Sequence, residues 1–139
     1  MAAGLFCAWA LLQPAPAAAF DVSNISGSFA FQFNKFGTCP NLEVKVGLFT
    51  FDGAGNVSGT FTNYSSNKMG AGPKVSTGTA TGTYTVNPDG TGSIHLTSPS
   101  TVTFAFAIDS TATPAERLEL VTLSLGSKGC AQSGYAIQQ

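Results

Sequence analysis

Charge is what this chain has least of. Lys and Arg total 6 and Asp and Glu 7 in 139 residues, for a net charge of −1. That balance offers neither a basic face nor an acidic tail, and it speaks against electrostatic partnership with DNA, RNA or anionic lipid. Histidine is almost missing as well: His95 stands alone. With one histidine and no Cys-x-x-Cys spacing, no multi-histidine metal centre or Cys–His catalytic pair can be assembled. No Gly-x-Ser-x-Gly context supports a serine nucleophile working with His95. No metal or other cofactor is implied. Helical periodicity is absent over any useful length, and no apolar run approaches the about 20 residues of a membrane-spanning helix. A surface so poor in charge must be dressed in Ser, Thr, Asn and Gly, as is common in extracellular β-proteins.

The N-terminus reads as an export signal. Leu5 to Leu12 is a short apolar run, followed by small residues ending Ala17-Ala18-Ala19, which fits an apolar h-region and an A-x-A cleavage pattern. The expected division is residues 1–19 as signal peptide and 20–139 as one β-domain, secreted, periplasmic or on the cell surface. The segment has no Lys or Arg before the apolar run, a departure from the usual signal pattern. Cys7 and the single tryptophan, Trp9, are removed with it. Cys39 and Cys130 remain, and an even pair in an exported chain reads as one disulfide, against two buried free thiols.

What is present is alternation. In GSFAFQFNKF, Phe29, Phe31 and Phe33 share one face, and Val102, Phe104, Phe106 and Ile108 do so in a later run. A period of two with aromatic anchors marks half-buried strands. Tyr84 alternates with threonines in TGTYTV. Asp52-Gly53 and Asn87-Pro88-Asp89-Gly90 supply tight-turn chemistry between runs. In LEVKVGLFTF, Val44, Val46 and Leu48 are expected inward and Glu43 and Lys45 outward. Phe49 and Phe51 contradict that parity unless a bulge intervenes. Arg117 to Leu125 and Gly134 to Gln138 read as the last two strands, and residues 65–73 as a long irregular loop.

About eight strands joined by short links define an all-β chain, and an up-and-down antiparallel barrel is favoured over a β-sandwich. Closure puts the first and last strands side by side, so Cys39, just past the first, and Cys130, just before the last, would pin the seam. In pattern the chain resembles the calycin group (lipocalin-like and avidin-like proteins) and the allene oxide cyclase and dirigent-like barrels. The phrases FDGAGNVSGTF and YTVNPDGTGSI also resemble those of small exported bacterial proteins of unassigned role. The Gly-x-Trp of lipocalins and the tryptophans of avidins are absent from the mature chain, so no functional residue carries over from these families.

Phe29, Phe31, Phe33, Tyr84, Phe104 and Phe106 are therefore the candidate ligand-binding residues, facing the barrel interior. Two readings stay open for them: a filled core, or an apolar cavity for one small ligand. The expected function is non-catalytic binding of a small apolar ligand. The alternatives are a self-assembling or adhesin-like surface protein and a cyclase- or isomerase-like enzyme that orients an apolar substrate. Expected partners are that ligand or further copies of the chain, with no nucleic acid and no stable membrane span.

Overall fold

Eight strands follow one another around a closed antiparallel barrel. The structure, a computed structural model, describes residues 19–39, 41–67, 72–109, 114–123 and 130–139. The expected signal peptide lies outside them except for Ala19. The strands are β1 (Ser26–Gly37), β2 (Asn41–Asp52), β3 (Asn56–Asn67), β4 (Lys74–Val86), β5 (Thr91–Ser98), β6 (Val102–Ile108), β7 (Arg117–Thr122) and β8 (Cys130–Gln138). Each pairs with its neighbours in sequence, and β1 also pairs with β8, from Phe29 opposite Gln138 to Gly37 opposite Cys130. This closure excludes the sandwich. It also leaves no free sheet edge.

Turn chemistry works as its residues require. Asp52 Oδ1 accepts from the backbone N–H groups of Ala54 and Asn56 at 2.8 and 2.9 Å, and Gly53 and Gly55 take positive φ angles of 74° and 102°. Asp89 Oδ1 accepts from Thr91 N at 3.0 Å in the same manner. Bonds donated to the ionised form hold both carboxyls below their usual range, led by Asn56 for Asp52 and by Thr91 for Asp89. Asp109 differs from these turn aspartates: its carboxylate lies 3.4 Å from Arg117 Nε.

β2 corrects the sequence expectation. Phe49 and Phe51 are buried inside, Val46 and Leu48 are exposed outside, and Glu43 and Lys45 share the inward parity of the phenylalanines. No bulge separates the two halves of the strand, since Phe29 to Asn34 pair with Phe49 to Val44 without a break. The register shift falls in β4, between Thr81 and Gly82. Pairing with β1 sets the parity: Phe29, already inward, lies directly opposite Phe49, and residues opposite each other share a face of the sheet. The charged residues on that same parity reach the barrel end, where water can meet them. The edges of the runs shift too: Ser65 and Ser66 continue β3, and β8 begins at Cys130 rather than Gly134.

A small barrel holds this many aromatic rings because glycines face them. A Cβ on Gly47 would approach Phe31 to 2.9 Å, one on Gly59 would approach Phe49 to 2.9 Å, and one on Gly78 would approach Phe61 to 2.6 Å. Gly92 beneath Phe106 and Gly134 beneath Phe33 serve the same purpose. Each ring lies across a bare stretch of the neighbouring strand, which is how aromatic residues cover sheet glycines. The rings then stack: Phe31 on Phe49 at 4.2 Å and Phe33 on Phe104 at 4.6 Å between centroids. The interior is a filled core along most of its length.

The two ends of the barrel differ. At the end where β1 begins, the lead-in folds back as a 3₁₀ turn, Val22–Asn24, capped by Asp21. Ile25 is fully buried there. The Tyr84 hydroxyl donates toward the carbonyls of Val22 and Ile25, at 2.9 and 2.8 Å. Ala115 N donates to Asn24 O at 2.7 Å. These contacts close that end. At the other end, where β1 meets β2 and β5 meets β6, the Cys39–Cys130 disulfide spans the seam with Cα atoms 4.9 Å apart.

Candidate ligand site at the barrel mouth

Antiparallel alternation decides which side chains reach the open end. Phe33 lies opposite Lys45 in the β1–β2 ladder, and Lys45 lies opposite Asn63 in the β2–β3 ladder. Lys35, two residues beyond Phe33, has the same inward parity. The mouth is therefore lined by Lys35, Glu43, Lys45 and Asn63, directly above the phenylalanine stack. Glu43 bridges the two lysines: Oε2 is 3.0 Å from Lys35 Nζ and Oε1 is 2.9 Å from Lys45 Nζ. All three side chains are largely screened from solvent, so these bonds act in a lower dielectric than a surface pair does.

Burial alone would push the Glu43 carboxyl up. Hydrogen bonds from Lys45 and Lys35, together with their charges, outweigh it and hold the group below its ordinary value of 4.5. A depressed folded pKa means that the contribution is full above that ordinary value and is lost as pH falls through the lower folded one. The urea midpoint of Glu43→Gln should consequently fall less than that of the parent chain on acidification below pH 4.5. Parallel profiles would show that the bridge contributes nothing to folding.

Beneath the bridge lies a recess of about 60 Å³, lined by Phe31, Phe33, Phe49, Phe61 and Phe104, with Lys45 at its edge. Ala80, Leu96, Val102 and the Pro99–Ser100 link complete its wall. Beside it, Asn63 Oδ1 is buried and receives no hydrogen bond among the described residues. A buried acceptor without a donor is uncommon, and this one has the inward parity of Lys45. A larger depression of about 480 Å³ lies on the outer wall, over Ala105, Ala107, Val121 and Tyr135. It is broad and open, so the recess is the better enclosed of the two despite its size.

The expected site residues divide between two depths. Phe31, Phe33 and Phe104 line the recess. Phe29, Tyr84 and Phe106 are buried outside its lining, and Tyr84 is committed to the plug through its hydroxyl. Burial raises the Tyr84 pKa above its usual 10.0. Sequence reading misses Glu43 and Lys45 because the aliphatic residues of β2 point to the opposite parity; Lys35, two residues beyond Phe33 in β1, and Asn63, two beyond Phe61 in β3, carry a period-two signal by which they could be found. Outside the barrel, His95 is exposed, with Nδ1 2.9 Å from Thr103 Oγ1. Arg117 pairs with Glu119 at 2.7 Å and lies 4.9 Å above the Tyr135 ring. Among the described residues no group of three or more His, Cys, Asp or Glu side chains is placed to hold a metal ion. No protein family, no curated protein and no solved structure matches this chain.

Proposed function

We propose that this chain is an exported, non-catalytic binding barrel that takes the apolar end of a small ligand at its open mouth. The observation that carries the reading is the phenylalanine-lined recess beside Lys45, at the end that no described residue plugs. Ligand sites for drug-sized molecules run to roughly 300–1,000 Å³. A recess of about 60 Å³ therefore admits only the tip of a ligand, such as a short alkyl chain or one edge of a ring. The remainder of the molecule would lie among Lys35, Glu43 and Lys45. Export is supported by the N-terminal apolar segment and by the Cys39–Cys130 disulfide, a bond that persists in oxidising compartments.

Titration of the mature, oxidised protein with hexanol tests this reading through the methyl resonances of the barrel. Saturable shifts are expected at Ala80, Leu96 and Val102, which line the recess, and not at Ile25 beside the plug. Ala80→Leu fills the recess and should weaken binding at least tenfold while the chain stays folded. Linear, unsaturated shifts spread over the whole barrel would overturn the proposal. So would undiminished binding by a folded Ala80→Leu variant.

A further inference from the structure

We propose that the open end of the barrel docks on an anionic lipid surface. The first observation is a segregation of charge that the total conceals. Among the described residues, Lys35, Lys45 and Lys74 lie at the open end against Glu43 alone, a net of +2. Asp21, Asp52, Asp89, Asp109, Glu116 and Glu119 lie at or near the plugged end against Arg117, a net of −5. In a meander, alternate links fall at opposite ends, and here the acids occupy one set of links. The barrel is thus an electrical dipole along its axis. An anionic surface attracts one end and repels the other, and such a field orients a protein before contact.

The second observation is a collar of exposed apolar side chains around the same end. Leu42 is 62% exposed, Val75 63%, Leu123 60% and Phe36 49%, each within two residues of a strand terminus at the mouth. Tyr64, paired with Val44 and Val75, extends the collar across β2, β3 and β4. Among the described residues Val46, Leu48 and Val121 are exposed along the outer wall, and only Ile137 lies within two residues of a strand terminus at the plugged end. Exposed large apolar side chains gathered at one end mark a candidate interaction surface.

The two features together select the occupant. A second copy docked mouth to mouth would match the collars but set +2 against +2. A copy stacked head to tail would match the charges but lay the collar on a polar, acidic end. A lipid surface satisfies both, because apolar side chains enter the acyl boundary while the exposed Lys74 meets the headgroup phosphates and the net positive mouth adds its field. This inference is independent of what fills the recess.

Co-sedimentation of the mature, disulfide-bonded chain with vesicles tests it. Binding is expected to vesicles mixing phosphatidylcholine and phosphatidylglycerol, not to phosphatidylcholine alone, and it should weaken as salt is added. Lys74→Glu reverses one exposed rim charge, a change of two units, and should weaken binding roughly 25-fold, since each unit of charge near such a surface counts for about fivefold. Leu42→Asn with Val75→Asn, both at exposed positions, should weaken it at least tenfold. Asp109→Asn at the far end should not weaken it. Equal binding to neutral vesicles, no binding to the mixed vesicles at low salt, or indifference to the rim substitutions overturns the proposal. Association without vesicles that Leu42→Asn and Val75→Asn abolish would assign the collar to a second copy instead, and would overturn it too.

Discussion

Phe33→Ala is expected to lower the unfolding free energy by about 3–5 kcal/mol, the range for deleting a buried aromatic ring. Phe33 is buried, stacked on Phe104 at 4.6 Å, and 5.1 Å from Phe31 between ring centroids. Its neighbours cannot collapse into the space, because Phe31 lies across Gly47 and Phe49 across Gly59 on closed strands. The hollow would join the recess above it. Benzene or toluene should therefore restore part of the lost stability, in proportion to the logarithm of its concentration once the hollow is occupied. Urea unfolding with and without the aromatic ligand measures both effects. A loss under about 1.5 kcal/mol with no ligand rescue would mean that the core relaxes around the change.

Removal of the disulfide should have an effect of similar size through a different state. Cys39 and Cys130 are 91 residues apart, and the chain-entropy model gives about 4–5 kcal/mol for a loop of that length. Every other ladder in the barrel joins strands consecutive in sequence; β1–β8 alone joins the two ends of the chain. The double variant Cys39→Ala/Cys130→Ala should lose roughly 4 kcal/mol in urea unfolding. Amide exchange should accelerate first at the mouth end of that ladder, where Phe36 faces Ala131 and Gly37 faces Cys130. Uniform acceleration around the barrel would show that the seam is no weaker than the hairpins. A stability loss below about 1 kcal/mol would show that the unfolded chain already keeps its ends together.

The strand faces that could be read correctly were those where apolar residues hold a single parity. Phe29, Phe31 and Phe33 in β1 are all buried, as are Phe104 and Phe106 in β6. β2 could not be read that way, because LEVKVGLFTF is apolar at both parities. Which half faces in depends on its pairing with β1, a contact about 20 residues away in sequence. The segment 20–25 carries no periodic signal, yet it plugs one end through hydrogen bonds with Tyr84 and Ala115. The segregation of charge did have a signal in the sequence. Asp52, Asp89 and Asp109 fall beside alternate links of the meander, and alternate links share an end. Total charge, the quantity weighed instead, contains no positional information.

By itself the sequence determined the class of fold, the number of strands, the turn residues and the pairing of Cys39 with Cys130. Period-two alternation and glycine turns are local properties, and short links between consecutive strands favour a closed meander over a sandwich. Only the tertiary structure decided that Glu43 and Lys45 face inward, that among the described residues Asn63 has a buried acceptor without a donor, and that phenylalanines fill the core beneath a recess at the mouth. Those outcomes depend on register between strands and on how much volume the rings occupy against the glycines opposite. Neither is a property of any one segment. Register is settled when all eight strands close together.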